Sequence, residues 1–292
     1  MIDLAVDPVL GWASGRREDL PWRRTRDPWA VLVSELMLQQ TQVARVVPRY
    51  HQFLERFPTV RTCADRGVGA VVEEWAGLGY NRRAVNLHRS AVVVTDRHDG
   101  IIPDDLEALL ALPGIGPYTA RAVLAFAFER DAAVVDTNVG RVLARQMGER
   151  LTPARAQVAA DSIVPSGRAW AWNQAMLDLG ALVCTKRTPQ CQVCPVSDTC
   201  AWFRSGSPAP DPAIGSAGVS SGQGRFEGSF RQGRARLLDV LRTGAVVAPV
   251  QLADACGWTD RDHGEREAHR AAESLVADGL ALRDEGGSIR LP

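Results

Sequence analysis

The segment 106–136 restricts the fold more than any other part of this chain. Leu106, Leu109 and Leu110 recur at helical spacing, and Pro113 stops that helix. Gly114-Ile115-Gly116 follows, and glycine allows the positive φ angles and close backbone approach of a sharp turn. Pro117 suits the first turn of a second helix over 119–128, with Ala120, Val123, Leu124 and Ala127 on one face. Two helices joined this way point backbone N–H groups outward at a helix N-terminus. Such a site attracts anions, DNA phosphate among them. A plain αα-hairpin whose glycines serve geometry alone fits these residues equally well.

A chain of 292 residues has room for two or three domains. Its 46% hydrophobic and 23% charged content is that of a soluble globular protein. No apolar run is long enough to span a bilayer, and 1–15 does not read as a signal peptide, so a cytoplasmic location is expected. The formal net charge of +0 excludes a global nucleic-acid footprint. Cations do gather locally, at Arg16, Arg17, Arg23, Arg24 and Arg26 and again at Arg82 and Arg83. Nearly all of them are arginine, which suits phosphate contact and which a GC-rich genome would also produce.

Four of the six cysteines fall at Cys184, Cys191, Cys194 and Cys200, a C-x6-C-x2-C-x5-C spacing. In a reducing compartment such crowding indicates metal rather than disulfides. Zinc ribbons and fingers use two paired knuckles. Four thiolates with a single C-x2-C pair instead favour a [4Fe–4S] cluster. Cys63 and Cys256 stand alone and read as small buried residues.

Other residues with chemical potential are dispersed. Trp22 beside Arg23 could hold a base by stacking and hydrogen bonding, or could pack and solvate. Glu35 lies among apolar residues of a helix over 29–38, where a carboxyl resists ionising and suits a general acid; a carboxylate at a helix edge would look the same. Gln39-Gln40-Thr41-Gln42 can read base edges or merely end that helix. Helices are expected over 43–57, 68–76 and 84–95. Between the last two, Gly77-Leu78-Gly79-Tyr80-Asn81-Arg82-Arg83 has the make-up of a DNA wedge and also of an ordinary helix connection. Asp136 is placed to cap a helix over 139–147 and to face a substrate. Helices over 158–164 and 170–183 lead into the cysteines. The segment 205–224, rich in Pro, Gly, Ser and Ala, reads as a flexible linker. Helices over 232–242, 249–256 and 265–277, then strands at 280–282 and 288–291, suggest a winged helix-turn-helix.

Taken together the chain resembles the MutY-type adenine DNA glycosylases of the helix-hairpin-helix superfamily. The matching stretches are Leu20-Pro21-Trp22-Arg23, 34–42, Gly77-Leu78-Gly79-Tyr80, 112–120, Val135-Asp136-Thr137-Asn138 and the four cysteines, in the family's order over 20–202. The resemblance implies an all-α, two-domain helix-hairpin-helix fold. Residues 1–24 and 134–204 would form the iron–sulfur cluster domain and 25–133 a helical barrel domain. A linker (205–225) and a winged-helix-like module (226–292) would follow. Double-stranded DNA containing a mispair would lie in the groove between the first two, bound by a monomer, and no membrane would be involved. Adenine opposite 8-oxoguanine or guanine would be flipped out of the duplex.

By the same resemblance Glu35 protonates adenine N7, and Asp136 stabilises the sugar cation with support from Tyr118 and Asn138. Trp22, Arg23 and Gln174 contact the base. Gln40, Thr41, Leu78, Tyr80, Gly114 and Gly116 hold the DNA, with Tyr80 wedged beside the damaged guanine. Cys184, Cys191, Cys194 and Cys200 hold a [4Fe–4S] cluster. Related lyases have a hairpin lysine where this chain has Tyr118, and Lys186 is the sole lysine, which implies base excision without strand cleavage. Two features depart from the pattern: 205–292 is too short for the family's Nudix-like domain, and the usual Tyr-Tyr pair is Tyr80-Asn81. A DNA repair role would place the chain at the nucleoid. The alternatives are a thymine or uracil mismatch glycosylase on the same scaffold and a non-catalytic iron–sulfur DNA-binding protein.

Overall fold

A computed structural model describes residues 4–15, 19–217, 224–258 and 261–292, without the side chains of 261–263. Arg16 and Arg17 of the basic cluster and 218–223 of the expected linker lie outside the described residues. The chain is almost wholly helical. In order the α-helices are α1 (Val6–Ser14), α2 (Pro28–Leu38), α3 (Val43–Arg56), α4 (Val60–Asp65), α5 (Gly67–Glu74), α6 (Arg82–Arg97), α7 (Leu106–Leu110) and α8 (Pro117–Phe126). They continue with α9 (Thr137–Met147), α10 (Pro153–Asp161), α11 (Ala169–Asp178), α12 (Ala201–Arg204), α13 (Phe230–Arg242), α14 (Leu252–Cys256) and α15 (Arg261–Ala277). No helix among the described residues is long and apolar enough to cross a membrane.

Caps set several boundaries. Thr59 and Thr62 form a reciprocal capping box that starts α4, a six-residue helix too short to show in the periodicity. The Thr152 hydroxyl accepts from Arg155 N and Pro153 fills the first helical position, so α10 occupies 153–161 rather than the expected 158–164. The single helix expected over 170–183 is α-helical only to Asp178. It then widens into one π-helical turn, Leu179–Val183.

The chain divides into two compact units. The first comprises Met1–Leu32, Asp104–Leu110 and Ile115–Gly222. Its core gathers Val9, Val142, Leu143, Trp172, Met176 and Leu179, with α11 packed on α1, α8 and α9. The expected boundaries at 24/25 and 133/134 therefore fall elsewhere: α7 and α8 belong to this unit, because α8 packs against α11.

The second unit comprises Val33–Pro103, Ala111–Gly114 and Gln223–Pro292. Phe53 and Trp75 meet edge to face with centroids 6.0 Å apart, and α4 and α5 pack on α6. The C-terminal residues form three mutually packed helices and an antiparallel hairpin pairing Leu282 with Arg290 and Arg283 with Ile289. This module is not a separate body. It joins the same unit as α3–α6, to which Arg242 ties it by hydrogen bonds to Val72 O and Asn81 Oδ1.

The expected linker also needs correction. Within 205–217 the chain is pinned to the first unit. Ala217 N donates to Leu151 O at 2.9 Å, Leu151 N donates to Ser216 Oγ at 3.0 Å, and Asp211 pairs with Arg145 at 2.6 Å.

Candidate functional site

In the first unit, Asp136 is the N-cap of α9. Its Oδ1 accepts from the backbone N–H of Asn138 and of Val139, both at 2.8 Å, and its Oδ2 accepts from Asn138 Nδ2 at 2.9 Å. Burial pushes the carboxyl above its ordinary value of 3.8, opposed by these donors and by the nearby Arg141 charge. The segment entering this cap is held from behind. Asn173 Oδ1 accepts from Val134 N at 2.8 Å, and its Nδ2 donates to Ala132 O and Ala169 O. A fixed carboxylate in a poorly hydrated position can stabilise an adjacent positive charge.

Arg141 lies on the next turn of α9. Its Nη2 donates to Asn138 Oδ1 at 2.8 Å and to Gly180 O at 2.6 Å, and its Nε donates to Cys184 O at 2.6 Å. The π-helical turn brings Gly180 so close that a Cβ there would stand 2.6 Å from Asn138 Cβ. Only glycine permits this approach.

One turn further, Arg145 is 2% exposed. It donates to Cys184 Sγ at 3.3 Å and to Thr185 O at 2.8 Å, pairs with Asp211, and stacks on Trp202. Cys184, Cys191, Cys194 and Cys200 line one pocket with Val142, Leu179 and Trp202, and all four are free thiols. Burial raises the thiols of Cys191 and Cys200, and that of Cys194 to about 11. A positively charged centre is what would turn such groups into thiolates. Among the described residues no three His, Cys, Asp or Glu side chains are grouped to hold a metal ion. Thiols spread around a pocket suit a polynuclear cluster, in which each takes its own iron, better than one tetrahedral zinc.

Arg23 is engaged in a bidentate ion pair with Asp178, at 2.7 and 3.1 Å. Asp178 follows Gln174 by one turn of α11, so the pair holds Arg23 on the helix face that presents Gln174. Trp22 and Gln174 are both buried. Tyr118 is the second residue of α8 and half-buried, and Gly116 is the N-cap of that helix.

In the second unit, Glu35 is 5% exposed, flanked by the buried Ser34 and Leu36 on α2. The carbonyls at the end of α2 are satisfied by one guanidinium. Arg83 donates to Leu36 O at 2.6 Å, Met37 O at 2.9 Å and Gln39 O at 2.6 Å. It also donates to Thr41 Oγ1, to Leu78 O and Gly79 O, and through Nε to Tyr80 O. Burial brings Arg83 down to about 10, still cationic at neutral pH. The run 39–42 is thus a helix terminus in which Gln40 takes a left-handed φ of 56° and Gln42 caps α3.

The wedge expected at Leu78 is not presented. Leu78 is 2% exposed, its side chain taken into the core, and its carbonyl accepts from Thr41 Oγ1 at 3.2 Å. Tyr80 is the exposed side chain of this loop, at 44%, on a backbone with φ 45°. In the hairpin turn, Gly114 has φ 76° and a Cβ there would clash with Asn86. Gly116 has an ordinary φ of −96° and open space around it.

Arg141, Arg145, Asp178 and Arg83 went unnoticed in the sequence. The signals were present: two arginines four residues apart on the helix that Asp136 caps, an aspartate one turn after Gln174, and a second arginine after Tyr80.

Comparison with known proteins agrees with this architecture. Residues 33–164 match the HhH-GPD superfamily of base excision DNA repair proteins. An adenine DNA glycosylase of Mycolicibacterium smegmatis is 41% identical over 99% of this chain and 97% of its own length. One of Mycobacterium tuberculosis is 42% identical over 97% and 92%. A solved thermostable thymine-DNA glycosylase superposes with a TM-score of 0.66 at 31% identity, covering 68% of this chain and 95% of its own. With likeness of this degree running almost end to end, the chain belongs to the adenine DNA glycosylases of the helix-hairpin-helix superfamily.

Proposed function

We propose that this DNA glycosylase hydrolyses the N-glycosidic bond of adenine mispaired with 8-oxoguanine or guanine in double-stranded DNA, acting as a monomer on nucleoid DNA. The observation that carries the reading is Asp136. A carboxylate held by three donors at a helix N-terminus, and raised by burial, is positioned for charge stabilisation, whereas a cap alone requires no burial.

Glu35 delivers a proton to adenine N7. The C1′–N9 bond then breaks with its electron pair moving into the neutral purine, and the sugar is left as an oxocarbenium ion. Asp136 lowers the energy of that cation, with its orientation fixed by Asn138 and by Tyr118 nearby in sequence on the hairpin helix. Water adds to C1′ and gives up a proton to the Glu35 carboxylate, leaving free adenine and an abasic site. Trp22, Arg23 and Gln174 hold the base. Tyr80, Gln40 and Thr41 contact the strand opposite it, and the backbone at Gly114 and Gly116 takes phosphate. Leu78 contributes through its carbonyl, which fixes Thr41 and Arg83. With Tyr118 in place of a hairpin lysine, no Schiff base forms and the strand is not cut.

Cys184, Cys191, Cys194 and Cys200 would hold a [4Fe–4S] cluster, which when bound cross-links the segment 184–200 through Fe–S bonds. The protein's own part is to shield and orient the thiolates, chiefly through Arg145.

The test is base release from duplexes presenting A opposite 8-oxoguanine, A opposite G and T opposite G. Adenine release that is lost in Glu35→Gln and Asp136→Asn supports the reading. Release of thymine alone moves the chain to mismatch thymine repair, and retention of full activity by both variants removes the assigned roles.

A further inference from the structure

The chemistry above leaves the C-terminal module without a task, yet its firmest attachment is beside Tyr80. Asn81 is the N-cap of α6, and asparagine is among the best capping residues. Its side chain does not cap the helix. Instead Asn81 Oδ1 accepts from Arg242 Nη2 at 2.8 Å. The same guanidinium donates through Nε to Val72 O at 3.0 Å, on the α5 side of the loop, and through Nη1 to Asp239 one turn earlier on α13. Arg242 thus spans the loop from α5 to the start of α6. The module is seated there by further contacts: Asp278 lies between Arg234 and Arg82, and a Cβ on Gly279 would come 3.1 Å from Arg89 and 3.4 Å from Val85.

Tyr80 needs such support. An aromatic residue at φ 45° is strained, and strain persists only where the surroundings over-determine it. Arg83 grips Tyr80 O from within the unit, and Arg242 holds the next residue from the module side. We propose that Arg242 is a positioning residue that braces the Tyr80 loop, so that the C-terminal module belongs to the apparatus reading the DNA strand opposite the target adenine. The proposal rests on the assignment of Tyr80 to that strand. It also accounts for Asn81 where relatives resembling this chain have a second tyrosine: the amide oxygen is the acceptor that Arg242 requires.

The experiment compares the full chain with R242A, N81A, R242A/N81A and Y80A on duplexes with A opposite 8-oxoguanine and A opposite G. Equilibrium binding and the single-turnover rate at saturating enzyme are both measured. R242A and N81A are each expected to weaken binding about tenfold, the worth of one charge-assisted hydrogen bond. The double variant should lose no more than either single, and R242A should add nothing in the Y80A background. The single-turnover rate should stay within about twofold of wild type. N81A removes the bond without touching α13, so it serves even if R242A fails to fold. Wild-type affinity in N81A, strictly additive losses in the double variant, or a fall confined to the single-turnover rate would each overturn the bracing role. A wild-type chain that releases no adenine from either duplex defeats the underlying functional reading instead.

Discussion

Arg141 donates to Asn138 Oδ1 at 2.8 Å, which fixes the amide so that its Nδ2 must face Asp136. Neither contact is open to rotation: the guanidinium also donates to Gly180 O and Cys184 O, and these carbonyls lie on the segment entering the cysteines. Arg141→Gln keeps a polar group but loses the fork, and Arg141→Lys loses the bidentate geometry. Both are expected to slow single-turnover adenine release by about tenfold or more and to destabilise the fold by ~2 kcal/mol. Quench-flow base release and urea unfolding check this.

Asp136 predicts a division between activity and stability. Its carboxyl titrates above 3.8 because burial favours the protonated form. The native state therefore binds more protons than the unfolded chain just above that pH, and ionising the group costs stability as pH rises through the window. Asp136→Asn removes the charge and retains a good cap. It should abolish adenine release while leaving Tm at pH 7 unchanged or higher. In the wild type, the acidic limb of the rate profile should lie above the usual carboxylate value, with activity gained as pH rises.

Gly180→Ala would place a methyl group 2.6 Å from Asn138 Cβ and 2.8 Å from its carbonyl. Relief requires α9 and the π-helical turn to separate, at a cost of ~1–3 kcal/mol. The expected result is a lower Tm together with slower base release, because the displaced residue is the one that orients Asp136. A Tm loss with unaltered chemistry would count against the coupling.

Cys63 and Cys256 should be inert in the folded chain. Burial pushes each thiol up to about 12, so almost no thiolate exists at pH 8. Mass spectrometry after brief iodoacetamide treatment should find both unmodified, and both labelled once urea is added.

Asp211→Asn should loosen the segment that follows the cysteines. Burial works against the Asp211 carboxylate, yet hydrogen bonds from Arg145 and from Ala213 N hold it below its ordinary value. The stabilisation is complete above pH 3.8 and disappears as pH falls through the lowered value. Near neutral pH the variant should lose the visible absorbance of its cluster faster in air than the wild type does.

Much of the site was legible in the residues themselves. The glycine turn before Pro117, the buried glutamate on an apolar helix, the aspartate ahead of Thr137-Asn138 and the grouped cysteines are local patterns that need no partner to be recognised. Leu78 was misjudged because a glycine-flanked apolar residue looks the same whether it points outward or into a core. The segment 205–217 was misjudged because its composition is that of a linker, and one aspartate with a buried arginine 66 residues away was enough to pin it.

By itself the sequence determined the helical character, the turn chemistry and the identity of the reactive groups, all of which depend on near neighbours and on periodicity. Only the tertiary structure decided which groups are held and by what. Arg83 collects carbonyls from three stretches of chain, Arg141 ties Asn138 to Cys184, and Arg242 reaches Asn81 across 161 residues. A guanidinium at the end of a long side chain leaves no trace of its partners in the primary pattern, because its hydrogen bonds are chosen by where the backbone has been folded.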